Sequence, residues 1–370
     1  MNFDLSDEQK MLADHARALL ADRSGYDRLR HLIDAGLEWD EPLWRRMAEL
    51  GFLGVAIPEC YGGMGLTDLD LAVISEQVGR ANAAIPLFSS LVLAANAILL
   101  AGNEAQKRRW LPRLASGEVV ATFAYGEGLR GWADGLPEAR YAGGRLTGVK
   151  SPVADGGVAT LAVVLAQEAG RAVLTLAELD RPGVSRTRLD SFDQLRAHYR
   201  LSFEGAEAEP MGEAPAAAVL PQLFDRAAVQ AAFEAVGGAE ACLFMARDHA
   251  LQRTIFGRSL AGYQAIKHKL ADILMHVELA RSSAYYAGWA AVDGPEELPR
   301  AAAAARLTAI TAFEAAAREN MQVHGGIGYT FEANCHFYYR RERTLALSLG
   351  GRAAWASRLI GTFPATGRDS

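Results

Sequence analysis

The chain has 370 residues, 50% of them hydrophobic and 22% charged, with a formal net charge of -6. That length is enough for two or three structural units around a sizeable core, and the acidic balance, with Lys and Arg scattered along the chain, sets nucleic acid aside as the main partner. Cys60, Cys242 and Cys335 are odd in number, far apart and in no CxxC pair, so neither a disulfide framework nor a zinc site is indicated and a reducing cytoplasm is the expected compartment.

The N-terminus, "MNFDLSDEQK", is acidic and polar where a leader needs a basic region and an apolar run, so no signal peptide is expected. Residues 1–117 read as an N-terminal all-α domain. Ser6 with Gln9 forms a capping-box pattern ahead of Leu12, His15, Ala16 and Leu19, and Thr67 with Asp70 repeats it before Leu71, Ile74 and Val78. Between them "LGFLGVAIPECYGGMG" is an apolar, glycine-punctuated loop. The uncharged run Ile85–Gly102 approaches membrane-span length, but Pro86, Ser89, Ser90 and Asn96 interrupt it, so it is expected to be a buried helix and no membrane role is assigned.

Residues 118–215 change period and predict a middle β domain, antiparallel, in an α+β chain. "ARYAGGRLTGV" places Gly-Gly between two strand-like arms, and "TLAVVLAQEAGRAVLTLAEL" predicts two strands around a four-residue turn from Gln167 to Gly170. Residues 216–370 return to helix. Tyr263, Ile266, Leu270, Ile273, Leu274 and Val277 recur at steps of three and four, which suggests a bundle. An alanine-rich helix from about Pro299 runs into "QVHGGIGYT", three glycines within four positions, where a helix cap needs only one. His268, His324 and His336 lack ligand spacing and read as packing or helix-end residues, and "RRER" at 340–343 reads as a solvated face.

Three strings in this order, "LGFLGVAIPECYGGMGLTDLDLAVISEQVGR", "RTIFGRSLAGYQAIKHKLAD" and "QVHGGIGYTFEANCHFYYRR", resemble the acyl-CoA dehydrogenase family of FAD enzymes. The resemblance implies an N-terminal helical domain, a middle β domain, a C-terminal four-helix bundle and a tetramer. It also implies an acyl-CoA thioester as substrate and an electron-transferring acceptor protein. In the family the glycine turn is lent to a neighbouring subunit's FAD, which gives Gly325 and Gly326 a purpose: without a Cβ, their N–H groups can approach a phosphate closely. By the same resemblance Arg253 reaches the pyrophosphate with its planar fork. Gln322 bonds the adenosine half, and Phe256 and Gln264 are carried over as cofactor contacts. Taken alone, Arg253 reads equally well as a surface arginine, and Gln264 as a buried amide.

The chemistry of the family removes an α-proton with a carboxylate sheltered from water. Counting from the matched strings, the commoner base position falls on Leu349 in "SLGG" and the other on Ala227 in "FDRAAVQAA", with Ala228 where an arginine usually follows. Asp225 would point about 200 degrees away from position 227 around a helix. The flavin-holding stretches also depart from the pattern, reading "GEG" at 126–128 and offering Pro152 and Ala154 in "KSPVADG". Three readings stay open. The chain is the base-less subunit of an α2β2 heterotetramer, a self-sufficient homotetramer with its base displaced to Glu127 or Glu342, or a non-catalytic scaffold of the same fold.

Overall fold

Helix caps chosen by short polar side chains set the first elements of the computed structural model, which describes residues 5–212 and 214–363. Helix α1 (Asp7–Arg23) starts where Ser6 Oγ accepts from the Gln9 N–H at 3.2 Å and Gln9 Oε1 accepts from the Ser6 N–H at 3.1 Å. Helices α2 (Tyr26–Asp34) and α3 (Glu41–Glu49) follow, the latter capped by Asp40, whose carboxylate also takes a two-pronged bond from Arg28 at 2.8 Å. Helix α4 (Asp68–Ala81) begins at the expected Thr67–Asp70 pair. In the loop before it, a Cβ on Gly63 would lie 2.0 Å from the Ile57 carbonyl oxygen, so chain packs on chain there. The run at 85–102 is buried, wound as a π-helical segment (Phe88–Ala95) continuing into α5 (Asn96–Ala101). Helix α6 (Glu104–Ala115) carries a capping box between Asn103 and Gln106.

Eight strands form one sheet: β1 (Ala121–Ala124), β2 (Arg140–Ala142), β3 (Arg145–Ala154), β4 (Leu161–Glu168), β5 (Arg171–Glu178), β6 (Val184–Leu189), β7 (His198–Glu207) and β8 (Glu209–Pro210). Their order is β6-β7-β3-β2-β4-β5-β8, with β1 beside β4. Pairing is mostly antiparallel, but β1 runs parallel to β4 and β2 meets β4 in parallel at Arg140 and Gln167. The β2–β3 turn uses Gly143 and Gly144 at φ 55° and 79°. The β4–β5 turn is tighter than the four residues expected. Glu168 pairs with Arg171, leaving only Ala169 (φ 48°) and Gly170 (φ 77°), a mirror-image turn that follows the strands' own twist.

The remaining elements are α7 (Ala216–Gln252), the two-strand ribbon β9 (Thr254–Ile255) and β10 (Arg258–Ser259), and helices α8 (Gln264–Asp293), α9 (Leu298–His324), α10 (Cys335–Leu347) and α11 (Arg352–Gly361). The architecture is the expected one, helices, then sheet, then helical bundle. Contacts divide the chain into two units, one of residues 14–74 and 83–227, the other of 1–13, 75–82 and 228–370. In the second, α9 packs on α8, α10 and α11, and Phe313 of α9 lies against Gly238 of α7. The last turns of α4 are built into this unit: Arg281 donates to Glu76 at 2.6 Å and Glu240 at 2.8 Å, and Arg80 pairs with Glu240. Among the described residues α7 alone has the length and hydropathy of a membrane span, yet 78% of its apolar window is buried by protein, as in a core helix.

Candidate functional site

Arg253 leaves the end of α7 and Gly325 leaves the end of α9, 72 residues later in sequence. Two histidines bring these ends together. His249, one turn before Arg253, stacks on His324, the residue before Gly325, with ring centroids 4.1 Å apart and planes at 26°. Beneath them Ala246, Ala250 and Val323 form a small core closed by Leu260, Ala261, Ile266 and Leu270. His324 Nδ1 lies 2.8 Å from the Asn320 carbonyl, which can only accept, so this nitrogen carries the proton. Burial, His324 and the Arg253 charge hold the His249 pKa below its ordinary value.

The surface here is open. The Arg253 side chain has no hydrogen bond or salt bridge among the described residues and is exposed. Gly325 sits at φ 67°, and a Cβ at either Gly325 or Gly326 would meet nothing within 4 Å, so Gly325 is required by the backbone while Gly326 faces free space. Gln264 opens α8 and Gln322 lies in the last turn of α9, both exposed. Phe256 tips the ribbon in a left-handed conformation at φ 46°, with 95% of its surface exposed. The ribbon is held rigidly, because Ser259 Oγ donates to the Ala250 carbonyl at 2.9 Å, the Leu260 N–H to that of Arg253 at 2.7 Å and Tyr263 OH to that of Ile255 at 3.0 Å. A bulky ring held in water and in strained backbone by so many contacts is a contact surface in waiting. The Gly325 N–H itself donates to the Gln322 carbonyl. An exposed guanidinium, a glycine turn without Cβ atoms and exposed amide side chains suit a diphosphate and a nucleoside.

The two base positions carry no proton acceptor. Leu349 is 1% exposed, at φ 63°, with its carbonyl accepting from Trp355 Nε1 at 3.2 Å, and Ala227 is fully buried on α7. Of the alternative acids, Glu127 is committed. It accepts from Lys150 Nζ at 2.6 Å and from the N–H groups of Glu138 and Ala139 at 2.6 and 2.9 Å, and the bonds outweigh its burial, holding its pKa low. Glu342 is different. It is 1% exposed, neither oxygen has a well-aligned hydrogen bond among the described residues, and burial raises its pKa to about 7, with Arg343 Nε 2.9 Å away. The reading of 340–343 as a solvated face is therefore corrected: Arg341 and Glu342 lie inside the bundle, where Arg341 meets Glu234 at 3.4 Å and α10 packs on α9.

The stretches that should hold a flavin ring fit it poorly. The Ser151 N–H donates to the Gly126 carbonyl at 2.9 Å and the Gly128 N–H to that of Ser151 at 2.7 Å, Pro152 has no N–H, and the Ala154 carbonyl accepts from Thr122 Oγ1 at 2.7 Å. Nearby Trp132 stacks on Phe224 at 4.4 Å and 20°. The residues expected at the diphosphate thus suit that part of FAD, and those expected at the ring do not. Sequence reasoning missed His249 and Trp132, since neither belongs to a motif and each is placed by a partner far along the chain.

Residues 6–118 match the acyl-CoA dehydrogenase N-terminal domain and residues 217–358 the acyl-CoA dehydrogenase C-terminal domain. The chain is 30% identical over 336 residues, 90% of its length and 91% of the relative's, to acyl-CoA dehydrogenase IpdE2 of Mycobacterium tuberculosis. Its fold is similar to a variant of the Tcur3481-Tcur3483 steroid ACAD (TM-score 0.88, 32% identity, 96% of this chain and 97% of the other). It is also similar to a chain of the ChsE4-ChsE5 complex from Mycobacterium tuberculosis (TM-score 0.89, 27% identity, 99% and 100%).

Proposed function

The chain belongs to the acyl-CoA dehydrogenase family of oxidoreductases, and from that premise we propose that it is the base-less subunit of a two-chain acyl-CoA dehydrogenase. In this reading it lends Arg253, Phe256, Gln264, Gln322 and the Gly325–Gly326 turn to the diphosphate and adenosine of FAD, while a different subunit supplies the carboxylate and most of the ring's surroundings. The observation that carries it is the contrast between two buried aliphatic side chains, Leu349 and Ala227, at the base positions and an open surface around Arg253 and the Gly325–Gly326 turn. The paired names of two similar structures, Tcur3481-Tcur3483 and ChsE4-ChsE5, agree with a two-chain enzyme.

The substrate is an acyl-CoA thioester, and the steroid enzyme among the relatives makes a bulky acyl group the first to try. The partner's carboxylate takes the α-proton. FAD, where bound, would supply the hydride acceptor, and an electron-transferring protein is the expected partner for its reoxidation. This chain's own contribution is binding and orientation, through cationic and amide donors that hold phosphate oxygens without moving a proton at the substrate. Three free thiols, two of them buried, suit a reducing cytoplasm.

Purified alone, the protein is expected to hold little FAD and to show no dehydrogenation, and co-expression with an acyl-CoA dehydrogenase subunit that carries the missing carboxylate should restore both. Full flavin occupancy with turnover by the lone chain overturns the proposal. One observation favours a second reading, a self-sufficient homotetramer: the raised pKa of Glu342 suits a base near neutral pH. A lone chain that turns over, and whose single-turnover flavin reduction collapses in Glu342→Gln, establishes that reading instead.

A further inference from the structure

The His249–His324 stack has no role in the reading above, yet it joins the two halves of the phosphate-facing surface. We infer that this pair is a proton-linked part of the anion site: His249 takes up a proton when a diphosphate settles on Arg253 and the Gly325–Gly326 turn. The inference rests on the proposal that this surface receives the FAD diphosphate.

The argument starts from charge. With no anion present, a proton on His249 would sit in a half-buried place beside the Arg253 cation and face to face with a second imidazole 4.1 Å away. All three oppose it, so without an anion His249 is held neutral. His324 keeps its Nδ1 proton on the Asn320 carbonyl, which fixes the ring that faces His249. The charged groups that act on His249 are Arg253, from the end of its own helix, and His324, from α9. The 254–262 connection and α8 cover the small core beside it with Leu260, Ala261, Ile266 and Leu270, all apolar. No carboxylate is among the groups that set its charge state. A diphosphate brings two negative charges beside Arg253, one turn from His249. The balance then reverses, and a proton on His249 becomes favourable. Binding and protonation are reciprocal, so whatever raises the proton's affinity also tightens the anion at lower pH.

The test uses the full-length chain and ADP-ribose, whose diphosphate ester carries no titrating proton near neutrality. Isothermal titration at pH 7 in buffers of high and low ionisation enthalpy should show uptake of about half a proton on binding, and affinity should be about tenfold tighter at pH 6 than at pH 8. His249→Gln keeps a planar polar side chain and should bind with the proton uptake and most of the pH dependence gone. Binding with no proton uptake by the wild-type chain overturns the inference and leaves the proposed function standing. An absence of ADP-ribose binding at millimolar concentration overturns the inference, while the proposed function, which expects little FAD on the lone chain, is decided by the co-expression experiment. The wild-type buffer comparison decides even if the variant fails to fold.

Discussion

Glu342 is the residue whose environment departs furthest from what water would give it. A carboxyl with a pKa of about 7 in the folded chain and an ordinary value when unfolded binds its proton more tightly in the native state. Its contribution to stability is therefore fully present below about pH 4.5, the ordinary value, and is lost as pH rises through about 7. Above that pH the protein carries a buried negative charge that Arg343 and Arg306 compensate only in part. Glu342→Gln should accordingly be more stable than wild type at pH 8, by on the order of 2 kcal/mol, with the advantage shrinking at pH 5. Thermal melts at the two pH values check this, and an advantage that does not change with pH removes the account. At this scale the sequence was legible where a motif fixed position, as at Arg253 and Gly325, which the structure leaves exposed at the ends of α7 and α9. It was silent on His249, one of eight histidines, because the ring it meets comes from another helix and no spacing rule links them. The same holds for "RRER", whose composition suggests water and whose burial depends on what α10 packs against.

Among the elements, the crossing of α4 and α7 leaves the least room. A Cβ on Gly79 would lie 1.8 Å from the Glu234 carbonyl oxygen, and one on Gly237 would lie 1.8 Å from that of Glu76, so each helix presents a glycine to the other's backbone. Around this contact Arg281, Arg80, Glu76 and Glu240 form a compensated network, and Tyr285 has its pKa pushed to about 12 by burial and by Glu76. Gly237→Ala gains about 1 kcal/mol of helix propensity. It also forces two backbones apart, and overpacking of this kind costs about 1–3 kcal/mol or more. The expected outcome is a net loss and a melting temperature lower by several degrees. Gly361→Ala, with open space around it near the end of α11, should stay within about 0.5 kcal/mol of wild type. Equal melts for the two variants would contradict the close crossing. Capping boxes and helix periods made most elements legible in advance, since those signals are local. The parallel placing of β1 beside β4 was not, because it is decided by pairing across some 40 positions, Ala121 with Leu161. Nor was the two-residue turn at Ala169, where a residue other than glycine adopts a left-handed conformation.

For the molecule as a whole, the surface of the bundle argues for assembly. Leu274, Met275 and Leu279 of α8 and Phe244 and Leu251 of α7 are each about 40–60% exposed, and Phe256, Tyr329 and Phe331 stand out near the glycine turn. A chain that stayed alone would leave these groups in water without return, and the same is true of the Arg253 fork. If the fork is lent across an interface, its removal must be felt in another subunit's cofactor. A charge-assisted bond to phosphate contributes about 1.5–3 kcal/mol, so Arg253→Met in the co-expressed complex should weaken FAD binding about ten- to a hundredfold. The KM for acyl-CoA of the flavin-loaded fraction should stay nearly unchanged, because a fork lent to the cofactor's phosphates would touch no part of the thioester. Equilibrium dialysis of FAD against the complex, with kinetics at saturating FAD, separates the two quantities. Unaltered FAD affinity would mean that the fork faces solvent in the assembled enzyme, and the lending arrangement would fall with it. A rise in KM with FAD affinity intact would instead place Arg253 on the substrate's own phosphates, a different assembly built from the same exposed surface.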